Sequence, residues 1–228
     1  MTTKYSNKKV AAFAALVVLP ALGIFFFARL NWVHKKLPYY FMEAPLEGKD
    51  SIPQTVSDIV LYNQHGQQIG LDDFDSCIVL VNIFFASCPE VCPEMNKQLQ
   101  TVAEKYGNLP QIRFLTVTID PERDSIPVLK AYADRFNADL YKRTFATGSK
   151  REIYDWAIHD LHLATEQTPD DDFIHDDKVV IMDKERHIRA VLPTRGETNT
   201  ERMNHIKRIF DDIDNLLYEY RKQNMDQR

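Results

Sequence analysis

Two cysteines four positions apart, Cys88 and Cys92, lie in the segment FFASCPEVCPEM, directly after an apolar run. A thiolate binds soft metals or exchanges disulfides, and such chemistry, more than packing, is the usual reason for a close cysteine pair. On a continuous helix, positions i and i+4 share a face, with Cβ atoms about 5–6 Å apart. Pro93 disfavours the α region for Cys92, so the spacing predicts an irregular turn ending at Cys92 and a regular helix after it. Both sulfurs then sit at the positive end of that helix, which favours thiolate for metal binding or redox work.

Two thiolates do not complete a metal site. Tetrahedral zinc needs four ligands, and no second Cys-x-x-Cys or His pair occurs at the required spacing. Copper is less demanding: Cu(I) suits soft sulfur, and a mixed sulfur and imidazole set holds Cu(II). Of seven histidines, His175 is the best placed, in FIHDDKVVIMD, just before a strand at Lys178 and at the end of an acidic loop. Loops at a sheet edge often carry ligands. A solvated loop histidine among aspartates is the alternative. His159 and His162 read as caps at a helix end; His34, His65, His187 and His205 read as membrane-flank, turn, turn and helix-surface residues.

The surrounding pattern says what positions these groups. Residues 56–62 and 69–74, joined by Asn63-Gln64-His65-Gly66-Gln67-Gln68, predict a hairpin. Cys77 to Phe85 is β-branched and aromatic, a central strand buried on both faces. A helix over 93–106 ending at Gly107, a strand over 111–119, a helix from a Ser125 cap through Phe136, and a helix to Leu161 opened by a Ser149/Glu152 capping box follow. Strands at 178–182 and 188–192 flank a turn at 183–187 that lacks glycine. The last helix, about 200–220, places Met203, Ile206, Phe210, Ile213 and Leu217 on one stripe. The order β-hairpin, β, α, β, α, α, β, β, α predicts an α/β thioredoxin-like fold, a central mixed sheet flanked by helices. Cys77, at the start of the central strand, reads as a small packing residue.

Val10 to Ala28 is a run of 19 uncharged positions. As a helix it would span about 28 Å, close to the hydrocarbon thickness of a bilayer, and it is longer than the apolar part of a cleaved signal peptide. The expected organisation is a short tail (1–9), a transmembrane anchor (10–28), a linker (29–55), the thioredoxin-like domain (56–222) and a polar tail (223–228). Lys4, Lys8 and Lys9 before the span balance Arg29, Lys35 and Lys36 after it. The signal-anchor-like start places the long C-terminal part outside the cytoplasm, on the periplasmic side of a bacterial inner membrane or the cell exterior. Beyond residue 36 the chain carries 22 basic and 33 acidic side chains, a net charge of −11 that argues against nucleic acid as a partner. Three cysteines are too few for a disulfide scaffold.

FFASCPEVCPEM, then TIDPERDS, then FIHDDKVVIMD, in that order behind one apolar segment, resemble the SCO/SenC family of copper chaperones. The resemblance covers about Val56 to Leu217. It implies a membrane-held thioredoxin-like domain that binds one copper through Cys88, Cys92 and His175, with Asp120 beside the site; Asp120 also reads as a turn residue before Pro121. It further implies a role in assembling the dinuclear copper centre of cytochrome c oxidase, as copper donor or as thiol reductant of the target. The expected partners are the copper-receiving oxidase subunit and other copper chaperones or thiol reductants of the envelope. The competing readings are a thiol-disulfide oxidoreductase using Cys88 and Cys92, and a peroxidase of the same fold class.

Overall fold

The uncharged, β-branched run that follows Cys77 forms the strand on which the domain is built, with all seven of its residues buried. The computed structural model describes residues 15–24, 35–43, 51–163, 165–167, 173–175 and 177–226, with the backbone alone at 140–141, 165–167 and 173–175. The chain divides into two units, Met1–Lys35 and Lys36–Arg228. In the first, residues 15–24 are helical, and Leu16, Val17, Val18, Leu19, Leu22 and Ile24 are each more than half exposed. Among the described residues no helix is long and apolar enough to cross a membrane. The rest of the expected 10–28 span lies outside the described residues.

The second unit contains strands β1 (Met42–Glu43), β2 (Ile52–Pro53), β3 (Leu61–Asn63), β4 (Gln68–Ile69) and β5 (Ile78–Phe84). Helix α1 (Val91–Tyr106), β6 (Ile112–Thr118), α2 (Ile126–Asp134), β7 (Arg143–Gly148) and α3 (Lys150–Asp155) come next. The chain closes with β8 (Thr165–Gln167), β9 (Phe173–His175), β10 (Lys178–Met182), β11 (Ile188–Pro193) and α4 (Asn199–Asp226). Seven strands make one mixed sheet in the order β11-β10-β5-β6-β7-β3-β4. β5, β6 and β7 run parallel, and β10 and β3 add antiparallel on either side. Parallel neighbours need crossover helices, and α1 and α2 supply them. This is the mixed-sheet α/β plan expected from the element order.

Several elements depart from expectation for identifiable reasons. The first hairpin is short: Leu71–Phe74 winds into a 3₁₀ turn instead of extending the strand, because Asp73 returns its carboxylate to the Gly70 N–H (2.9 Å) and buries Leu71 and Phe74. Helix α1 begins at Val91, two residues earlier than expected, so Cys92 is helical despite preceding proline. Pro93 falls in the first turn, where a backbone N–H has no intrahelical partner, so its lack of a donor costs nothing there. β7 was not foreseen; its Thr144, Phe145 and Thr147 suit a strand, but the run is only six residues long. Ser149 makes no side-chain cap bond, so the expected capping box does not form. Past Asp155 the helix widens into a π-helical segment, Trp156–Asp160. Helix α4 continues to Asp226; Ile206, Ile209, Ile213, Leu216 and Leu217 are its buried stripe, whereas Met203 is 64 % exposed.

The glycine-free turn after β10 places Arg186 in the left-handed region (φ 65°), a conformation that costs most residues about 1 kcal/mol or more. Its guanidinium bonds to Asp72 and Asp75. Beside that turn, a strap from the linker lies against the domain. Arg189, 3 % exposed, pairs with Asp183 (3.1 Å) and Glu219 (2.9 Å) and donates to the carbonyls of Leu37 (2.6 Å) and Pro38 (3.2 Å). The Leu37 N–H in turn donates to Glu219 (2.7 Å).

Candidate functional site

Strand β5 ends at Phe84 and delivers Cys88 to the start of α1. The Cys92 backbone N–H donates to the Cys88 sulfur at 3.3 Å, so Cys88 caps one of the helix's orphan donors. All three cysteines are thiols; Cys88 is 7 % exposed and Cys92 fully buried. The Cys92 thiol is pushed far above its usual range, first by its hydrogen bond with Cys88 and then by burial. The fold therefore brings the two sulfurs together at the positive end of a helix, as the spacing anticipates. It does so within the first helical turn instead of an irregular turn before it.

Four further residues, not foreseen as part of the site, hold this turn. Asn96, one helical turn beyond Cys92, donates to the Cys92 carbonyl (2.9 Å) and to the Tyr132 hydroxyl (3.4 Å). Arg143, 1 % exposed, donates to the Asn96 side-chain oxygen (2.8 Å) and carbonyl (3.4 Å), and lies over the rings of Phe136 and Phe145. Tyr132 is kept protonated by burial, with the nearby Cys92 and Cys88 adding to the shift. Asp124, 2 % exposed, accepts from the Ala86 N–H (2.9 Å) and the Thr118 hydroxyl, tying the loop after β6 to the cysteine loop. Burial raises its pKa against those two bonds. Two of the four had a sequence signal: Asn96 in its i+4 spacing from Cys92, and Asp124 in its place within TIDPERDS.

Asp120 is buried on the same loop. Its Oδ2 lies 3.4 Å from Arg123 and, among the described residues, accepts no hydrogen bond. The Asp120 N–H donates to Thr118 (3.0 Å), and the Asp120 carbonyl accepts from Arg123 and Asp124, so the residue builds the DPERD turn that aims Asp124 at Ala86.

His175 ends β9, and its side chain lies outside the described residues. The register of β10, the next strand along the chain, says where that strand enters the sheet. Val179 pairs with Asn82 in the antiparallel β10–β5 ladder. Successive residues toward Asp177 therefore approach the end of β5 from which the cysteine loop departs. Asp177 and the cysteine-loop residues Pro89 and Glu90 line one cleft of about 740 Å³, together with Arg195 and Arg202. Elsewhere, Cys77 sits at the other end of β5, about 20 Å of strand away. Its thiol lies 3.7 Å from the Pro110 carbonyl, and burial raises its pKa. Among the described residues, Asp183, Glu185 and His187 bring ligand atoms within 4.8 Å of one another. They occupy the β10–β11 turn, at the Cys77 end of the sheet. There Asp183 already accepts from the N–H groups of Glu185 and His187 and from Arg189. His162 stacks on Phe41 and contacts Gln54, and His65 contacts Asp139. These contacts fit structural roles.

The SCO1/SenC family model matches residues 48–211. The chain is 29 % identical over 156 residues to the mitochondrial protein SCO2 homolog of Danio rerio, which covers 66 % of this chain and 54 % of that protein. It thus spans about half the length of the curated relatives it matches. Among solved structures, Arabidopsis thaliana ScoI with copper bound superposes with a TM-score of 0.57 at 19 % identity, covering 68 % of this chain and 98 % of that one. BsSco, described as a member of the Sco family of cytochrome c oxidase assembly proteins and as having a disulfide switch, gives a TM-score of 0.57 at 21 % identity, covering 70 % and 95 %. Those two likenesses show the fold, and the family match over most of the domain carries the further conclusion that the chain belongs to the SCO1/SenC family.

Proposed function

We propose that this protein is a membrane-anchored copper metallochaperone that serves assembly of the dinuclear copper site of a respiratory cytochrome c oxidase. Its cargo is one copper ion held by the Cys88 and Cys92 sulfurs and the His175 imidazole. The observation that carries the reading is the pair of sulfurs meeting at the first turn of α1, beside the sheet end at which β10, the strand that follows His175 in the chain, begins. Two soft thiolates and one imidazole suit copper in either oxidation state. Family membership and a relative solved with copper support the same cargo. For the anchor, the support is the apolar run of 19 residues and the exposure of apolar side chains on every side of the helix at 15–24. We place the domain on the outer face of a bacterial inner membrane.

The test is metal analysis with absorption spectroscopy on the detergent-purified full chain, reduced and oxidised. One copper per reduced chain is expected, with a sulfur-to-copper charge-transfer band that disappears in Cys88→Ser, Cys92→Ser and His175→Ala. A reduced chain that takes up no copper defeats the reading. For the anchor, alkaline extraction should leave the chain in membranes unless residues 10–28 are deleted.

A second reading, thiol-disulfide exchange with partner cysteines, is favoured by the asymmetry of the pair: Cys88 is the more accessible sulfur and accepts an N–H, while Cys92 is sealed behind it. In that chemistry the Cys88 thiolate attacks a partner disulfide, releasing one partner thiolate. Cys92 then displaces the other, leaving a Cys88–Cys92 disulfide and a reduced partner. His175→Ala separates the readings, since it should abolish tight copper binding and leave exchange nearly intact.

A further inference from the structure

Arg143 is a buried cation that has no anionic partner among the described residues. Among the described residues it forms no ion pair with a carboxylate; its hydrogen bonds go to the neutral Asn96, its Nε has no hydrogen-bond partner, and aromatic rings cover it. Burial pulls its pKa down to about 10, so it stays charged at neutral pH. An unpaired buried charge costs several kcal/mol, and fold stability alone would be served as well by an apolar residue of similar volume. Arg143 reaches the cysteine turn through two successive hydrogen bonds, guanidinium to Asn96 and Asn96 to the Cys92 carbonyl.

We propose that Arg143 is a positioning residue of the cysteine site, holding the Asn96 amide against Cys92 and supplying the buried positive charge that offsets the negative charge the two sulfurs carry when they hold a cation. The charge balance is specific. As two thiols, or as a disulfide, the pair is neutral and Arg143 has nothing to neutralise. When a cuprous ion binds, both thiol protons leave to solvent, and two thiolates with one monovalent cation leave one net negative charge, which the guanidinium faces across the Asn96 relay. Arg143 thus favours the loaded state over both unloaded ones. This rests on the reading that Cys88 and Cys92 hold copper as thiolates.

The experiment separates charge from shape in the reduced full chain. Cu(I) affinity is read by competition with a chromophoric chelator in the parent, Arg143→Lys, Arg143→Gln and Arg143→Met, alongside circular dichroism and thermal melts. Lys keeps the charge; Gln keeps an amide able to donate to Asn96 but no charge; Met keeps the volume. We expect Gln and Met to lose about tenfold or more in affinity while staying folded, and Lys to remain within about threefold of the parent. Folded Gln or Met variants that bind as the parent does, or a Lys variant as weak as Gln, overturn the proposal. Should Gln not fold, Met against Lys draws the same distinction. If the parent itself takes up no copper, the functional reading above has failed. The inference is then read from alkylation of Cys88 by iodoacetamide, slower in Met than in Lys if Arg143 favours sulfur anions and equal in the two if it does not.

Discussion

Arg189 and Arg143 are two arginines buried to nearly the same degree in opposite circumstances. Arg189 sits between Asp183 and Glu219 and clamps the Leu37–Pro38 strap, so all its charge is spent inside the fold. Arg143 faces an amide and aromatic rings beside the cysteine turn. Burial by itself therefore does not tell a structural charge from a functional one; the neighbouring charges do. A cation that leaves two carboxylates stranded when removed is architecture. One whose removal strands no charge is held for something the resting state does not display.

The largest effect expected from breaking this comparison is at the clamp. Arg189→Met leaves the buried Asp183 and the partly buried Glu219 without this counter-ion and should destabilise the domain by about 3–5 kcal/mol in denaturant unfolding. Arg143→Met strands no charge, only the Asn96 oxygen, so the same measurement should move by no more than about 1–2 kcal/mol. A clear loss of stability there would make the two arginines alike and erase the contrast.

Asp124 sharpens the contrast from the anionic side. Burial raises its pKa, so the folded chain holds that proton more tightly than the unfolded chain does. Its contribution to stability is therefore greatest below the ordinary carboxylate pKa and declines as pH rises through the raised value. Asp124→Asn keeps an acceptor for the Ala86 N–H and should flatten that decline; melts from acid to neutral pH that fall as steeply in the variant as in the parent would count against it. The smallest effect belongs to a solvated pair, Lys207 and Asp211, 3.0 Å apart with side chains 75 % and 55 % exposed. Lys207→Ala should change stability by less than about 0.5 kcal/mol.

Much of the domain was legible in the residues. The uncharged β-branched run of β5 could only be buried, and β10 and β11 match their patterns nearly to the residue. β7 escaped because a six-residue strand without strong alternation gains its identity from pairing with β6 and β3, which local pattern does not contain. Cys92 was expected outside the helix because the rule for residues before proline is a local one. The hydrogen bond from its N–H to the Cys88 sulfur stabilises the helical turn locally as well, but sequence rules carry no term for it. Arg143 and Tyr132 approach the site from elements remote along the chain, and nothing in their immediate sequence marks them.

What the sequence by itself determined is chemical: which side chains can become soft anionic ligands, how closely two of them are spaced, and which apolar runs must be buried. Those follow from residue type and short-range geometry. What only the tertiary structure decided is electrical and positional: that Cys92 is completely buried while Cys88 keeps a small exposure, that Asp124 ties the cysteine loop while Asp120 shapes the turn behind it, and that, among the described residues, one buried arginine has carboxylate partners while the other has none. Burial and charge pairing depend on every element packed around a group, and the chain order of those elements does not disclose which of them will meet.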